Sequence, residues 1–150
     1  MPSWPSDRRR DGSPDAQEGS AVVEFVFLAV LLMVPVAYLV LTLGQLQGGA
    51  FAVVGAADQA AKVYVRMPSA AAGQAAAEQA VALAVGDLGF RPGDARLAIS
   101  CDRDCQEPGA IVTAHVSLRV PLPVVAALPG IDLAATTVAA DASQKVGRFR

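Results

Sequence analysis

The sequence predicts an α+β chain: a long N-terminal helix that first spans a membrane and then turns amphipathic, a second helix, and a small antiparallel β-sheet. Three observations predict it. The run from Phe25 to Leu43 carries no charge, the residues from Gly44 to Leu88 repeat their apolar positions at helical spacing, and beyond Pro92 the repeat shortens to two. Composition agrees, because 150 residues with 53% hydrophobic and 17% charged side chains are too apolar for an ordinary soluble domain. Subtracting one span leaves roughly a hundred residues, enough for one small domain with a single core. A net charge of -2, with no basic block after the first ten residues, argues against a nucleic-acid partner. Two cysteines and one histidine exclude four-cysteine and Cys2His2 zinc sites. Any His-dependent triad would rest on His115 alone, and no metal, cofactor or catalytic residue is expected.

Residues 1–19 mix Pro, Ser, Asp, Arg and Gly without apolar periodicity and read as a disordered cytoplasmic leader. The span follows over residues 20–43, about 36 Å of helix at ~1.5 Å per residue, which crosses a hydrocarbon core of ~30 Å. Arg8, Arg9 and Arg10 precede it and the next basic residue is Lys62, so the basic flank holds the N-terminus in the cytoplasm and the C-terminal part is exported. Pro35 removes a backbone donor in mid-span and is expected to kink the helix.

Glu24 directly precedes Phe25. A carboxylate costs ~2.5–3.5 kcal/mol at mid-bilayer and less near a membrane boundary, so the position asks for a reason. One reason is local: Glu24 can snorkel to the head groups, favoured by the positive end of its helix. The other lies in its context, Gly19-Ser20-Ala21-Val22-Val23-Glu24-Phe25 running into the apolar segment. These residues resemble a type IV prepilin processing site, where a prepilin peptidase cuts after a glycine and the fifth mature residue is glutamate. The resemblance places the cut between Gly19 and Ser20, with Glu24 fifth and Phe25 sixth. It implies that Glu24 of one subunit pairs with the new Ser20 amine of a neighbour, penalising unpaired subunits and setting axial register.

Within that group, the segment from Asp11 to Arg66 is similar to the N-terminal part of TadE-like pseudopilins, minor pilins of the tight-adherence (Tad/Flp) pilus system. The resemblance implies a pilin-like fold and a single-pass membrane protein. Its partners would be the membrane, a prepilin peptidase, other pilins and pseudopilins, and pilus-assembly proteins. Two departures stand out. Major Flp pilins carry Tyr where this chain has Phe25, and they lack a large C-terminal region.

Residues 44–66 continue as an amphipathic stalk, with Ala50, Val53, Val54, Ala57, Ala61, Tyr64 and Val65 on one face. Asp58 and Lys62 stand at the favourable i,i+4 spacing on the other. Gly44, Gly48, Gly49 and Gly55 either mark a flexible joint or allow close helix contact. Pro68 ends the stalk. The exported domain, residues 69–143, opens with a helix from an N-cap at Ser69 to Leu88, with Ala77, Val81, Ala84, Val85 and Leu88 on one face and Gly89 closing it.

Strand alternation follows at Arg96–Cys101 and Val112–Val120, with His115 on the polar side, and a weaker third strand is expected around Ile131–Ala140 after the Pro-rich stretch 121–130. Residues 144–150 read as a polar tail. Cys101 and Cys105 flank the turn between the first two strands. In an exported compartment a structural disulfide is the expected state, and C-x3-C lacks the C-x-x-C spacing of redox thiols.

Two other readings compete with a processed pilus subunit. One is a stationary membrane-anchored scaffold. The other is a secreted domain with binding or enzymatic activity, released by a signal peptidase after Ala52 in the A-x-A sequence Ala50-Phe51-Ala52. The apolar run exceeds the ~7–15 residues of a signal peptide's hydrophobic region, which disfavours the second. No nucleophile elbow, zincin, P-loop or dinucleotide fingerprint is present to support an enzyme.

Overall fold

The computed structural model describes residues 15–122 and 135–148, with side chains from Ala21 onward. Two helices and three strands run in the order α1 (Asp15–Tyr64), α2 (Ala70–Asp87), a 3-10 turn (Pro92–Asp94), β1 (Ala95–Cys101), β2 (Ile111–Pro121) and β3 (Ala135–Lys145). This is the expected α+β architecture. The chain divides into two compact units, Met1–Ala37 and Tyr38–Arg150.

In the first unit α1 begins earlier than the sequence suggested. Asp15–Gly19 are helical, so the leader is not irregular up to the Gly19–Ser20 bond. Ala16, Gln17 and Glu18 favour a helix, and acidic residues suit its N-terminal turn. The rest of the leader, residues 1–14, lies outside the described residues. The helix is unbroken at Pro35, and every side chain from Ala21 to Ala37 is exposed.

The second unit is built around the remainder of α1. The sheet has the order β1-β2-β3 and is antiparallel throughout, with β2 in the centre. Alternation sets its faces: Val112, Ala114, Val116, Leu118 and Val120 are fully buried, whereas His115 and Arg119 between them are exposed. Against the buried face lie Ala52, Val53, Ala56, Ala57, Ala60, Ala61 and Tyr64 of α1 and Ala77, Val81 and Val85 of α2, all in one core. Small side chains let helices approach a sheet closely. Gly49 marks the tightest point, where an added Cβ would lie 2.4 Å from Val120 Cγ2 and 3.3 Å from Val138 Cγ2.

That approach corrects the expected stalk face. Ala50 and Val54 are exposed, and Ala52, Ala56 and Ala60 take their place in the core. In so alanine-rich a helix the apolar stripe has little contrast, and helix rotation is decided by what the sheet accepts. The helix stops at Tyr64, and Val65–Met67 turn away through Arg66 N–H to Val63 O (3.1 Å) and Met67 N–H to Tyr64 O (3.2 Å). The charged pair forms as the spacing suggested, with Lys62 Nζ 2.6 Å from Asp58 Oδ2.

Ser69 caps α2 by accepting from Ala72 N–H at 3.2 Å. Ala77, Val81 and Val85 face the core, joined by Gly73, while Ala84 is half-buried. Leu88 departs from the expected face because it is the C-cap and is exposed. Gly89 follows with φ +81°, a conformation that favours glycine.

The third strand lies further along than expected, at Ala135–Lys145 rather than Ile131–Ala140. Pairing with the eleven residues of β2 demands a partner of equal length, from Pro121↔Ala135 to Ile111↔Lys145. Gln144 and Lys145 therefore belong to the sheet, not to a tail, and Val146 is buried with its N–H 2.8 Å from Ala110 O. Residues 131–134 and most of the Pro-rich stretch lie outside the described residues.

Candidate functional site

The residues singled out for prepilin-type processing all lie on α1. Gly19 and Ser20 have helical backbone, with Glu24 one helical turn beyond Ser20. Helical residues do not present an extended peptide to a protease, so a cut at this bond requires the first turns to unwind. A glycine at the position before the cut lowers the cost of unwinding by ~1 kcal/mol relative to alanine.

Glu24 is exposed, and no described residue pairs with it. Beside it Phe25 is 72% exposed, and the apolar side chains that follow are similarly uncovered. An open apolar depression on this part of the helix is lined by Phe27, Val30, Leu31, Val34 and Pro35. Among the described residues there is thus one helix long and apolar enough to cross a membrane, with none of its most apolar stretch buried against its own fold. Exposed apolar area of this extent demands another apolar phase or another chain.

Ala50-Phe51-Ala52, the alternative cleavage site, is placed very differently. It lies inside α1 within the second unit, and Ala52 and Val53 on either side of the cut are both 1% exposed in the core. Cutting there would sever the core helix from its preceding turns.

Cys101, the last residue of β1, and Cys105, within the β1–β2 connection, form a disulfide. The same connection is organised by Asp102, which accepts from Ile111 N–H at 2.8 Å through Oδ1 while its own N–H donates to Ile111 O at 3.2 Å. The Ile111 N–H holds the Asp102 carboxyl below the ordinary value of 3.8; slight burial opposes this and the neighbouring Arg103 guanidinium adds to it. Asp104 Oδ1 accepts from Gln106 N–H at 2.9 Å. The bond therefore sits in a hydrogen-bonded turn with each cysteine half-buried, an arrangement suited to fixing shape.

His115 sits on the exposed sheet face, as alternation suggested, and its Nδ1 meets Asp141 Oδ1 on β3. Sequence reading missed this partner because it ended the third strand at Ala140. Both side chains are more than half exposed, so the pair is a surface contact across two strands. Among the described residues no three potential ligands gather in a metal-binding cluster. Also missed was the placing of Arg96 and Arg119 around one depression on the same sheet face, which only the strand register produces.

No family model, curated protein or solved structure matches the chain.

Proposed function

We propose that this chain is a single-pass, TadE-like pseudopilin that takes part in assembling a Tad/Flp-type pilus or a related secretion apparatus. It acts by assembly rather than catalysis. The observation that carries the reading is the uncovered apolar helix from Ala21 to Ala37, opened by the unpaired acid Glu24 five residues after Gly19. A membrane holds such a helix before assembly, and neighbouring copies cover it afterwards. In either environment an unpaired carboxylate is costly, and the Ser20 amine created by processing is the cation best placed to offset it. A prepilin peptidase cuts between Gly19 and Ser20 from the cytoplasmic side, while the α+β unit carrying the disulfide is exported.

The test is the intact mass and N-terminal sequence of a C-terminally tagged copy purified from its own host. A start at Ser20 is expected. An uncut chain would favour a stationary membrane scaffold, and a start at Val53 would overturn the pilin reading in favour of a secreted domain. In the same host Gly19→Val should leave the leader attached; an unchanged mature N-terminus in that variant would remove the prepilin claim.

A further inference from the structure

We propose that Arg96 and Arg119, with the hydroxyls of Ser117 and Thr137, form a binding site for a phosphate-type oxyanion on the outer face of the sheet. Register builds it. Arg96 lies directly opposite Ser117, and Arg119 lies two residues further along β2, opposite Thr137 on β3, so all four occupy one face. Diagonal positions of this kind are ~7–8 Å apart at Cα, well within the combined reach of two guanidinium groups. The four residues line a shallow depression of about 150 Å³, completed by Gly93 and Asp94.

The electrostatics favour an anion. Among the described residues no carboxylate pairs with Arg96 or Arg119. Two like charges share a small area without neutralisation, and an oxyanion between them relieves that repulsion. Asp94, the carboxylate in the depression, is itself held by Arg91, whose Nε is 3.3 Å from Asp94 Oδ2. Guanidinium forks and hydroxyl donors match the several acceptor oxygens of a phosphoryl group. The contrast with the middle of the same face is informative, because there His115 is matched by Asp141.

Position suggests the source of the anion. Val120, next to Arg119, touches α1 at Gly49, six residues beyond the end of the apolar run at Leu43. Six residues of helix rise only ~9 Å. If Leu43 marks the membrane boundary, the depression lies at the membrane-facing end of the exported unit, within reach of phospholipid head groups. The lipid source rests on the membrane-spanning reading above; the oxyanion chemistry does not.

The experiment is arginine-specific labelling of the full chain with phenylglyoxal, read residue by residue by mass spectrometry. Three arms are compared: nanodiscs containing phosphatidylglycerol, nanodiscs of phosphatidylcholine alone, and neutral detergent with and without inorganic phosphate. Arg103, at the opposite end of the sheet, is the internal reference. Labelling of Arg96 and Arg119 is expected to slow about fivefold in the phosphatidylglycerol arm, the factor expected for one arginine at an anionic surface. Arg96→Gln should remove most of that protection at Arg119. Protection by inorganic phosphate in detergent without protection by phosphatidylglycerol supports the site with a soluble anion as its ligand. Equal labelling in all arms, or equal slowing at Arg103, overturns the proposal.

Discussion

Gly49 and Gly55 stand six residues apart on α1, about 1.7 helical turns, so they lie on different faces and their surroundings are opposite. At Gly49 a methyl group would press into Val120 and Val138, whereas around Gly55 there is nothing within 4 Å. Gly55→Ala should therefore gain the helix propensity of alanine, about 1 kcal/mol. Gly49→Ala gains the same propensity but must push the sheet away, and overpacking of this kind costs roughly 1–3 kcal/mol. Denaturant unfolding of the full chain in detergent should show a raised midpoint for Gly55→Ala and a lowered one for Gly49→Ala. Equal increases for both would mean that the helix and sheet do not approach as closely as described.

Asp102 provides a second test at a single residue. Its folded pKa lies below 3.8 because the charged carboxylate accepts the Ile111 N–H. A depressed folded pKa means that the stabilisation is fully present above the unfolded value and is lost as pH falls through the lower folded value. In an NMR titration the Asp102 carboxyl should titrate below 3.8, and the Ile111 amide shift should follow the same curve. An Ile111 amide insensitive to that titration would show that the contact does not form in solution.

Among the described elements, the β1–β2 connection is the most heavily tied. The disulfide closes a loop with a sequence separation of four, and Asp102 bonds the strand ends across the turn at both polar positions of Ile111. Chain-entropy arithmetic for so short a loop gives about 2 kcal/mol. Replacing both cysteines by serine should lower stability by about that amount while leaving β2 and β3 paired. Hydrogen exchange should quicken at residues 101–111 and remain slow at the centre of β2. Faster exchange throughout the sheet would mean that the bond supports the whole unit. The two halves of α1 present a different contrast. From Tyr38 onward the helix contributes its alanine face to a core, whereas the stretch from Ala21 to Ala37 is exposed on every side.

For the whole molecule, the asymmetry of charge along that exposed helix is the feature an assembly would use. On the pilin reading proposed above, Glu24→Ala removes the acid without shortening the apolar run, so membrane insertion should persist while incorporation into fibres falls. Fractionation of the host, with the variant quantified in membrane and sheared-fibre fractions, distinguishes the two steps. Normal incorporation would remove Glu24 from the assembly mechanism. Because burying an unpaired amine is as costly as burying an unpaired carboxylate, a variant that keeps the leader should fail in the same fraction.

What the sequence by itself determined were the features written in local patterns: the uncharged run, the Gly19-x4-Glu24 spacing, the Ser69 cap, the Gly89 stop, and the alternation that turned Val112–Val120 inward and His115 outward. Each depends on neighbours within a few positions, where helix and strand periods act directly. Tertiary structure alone decided which side of the alanine-rich stalk is buried, because Ala50 and Ala52 are equally apolar and only the fit of Gly49 against Val120 chooses between them. It also decided the limits of β3, since a weakly patterned strand takes its length from the strand it pairs with. The meeting of His115 with Asp141 follows from that pairing and the placing of Arg96 near Arg119 from the pairing of β1 with β2, for register joins residues far apart in the chain and no local period records it.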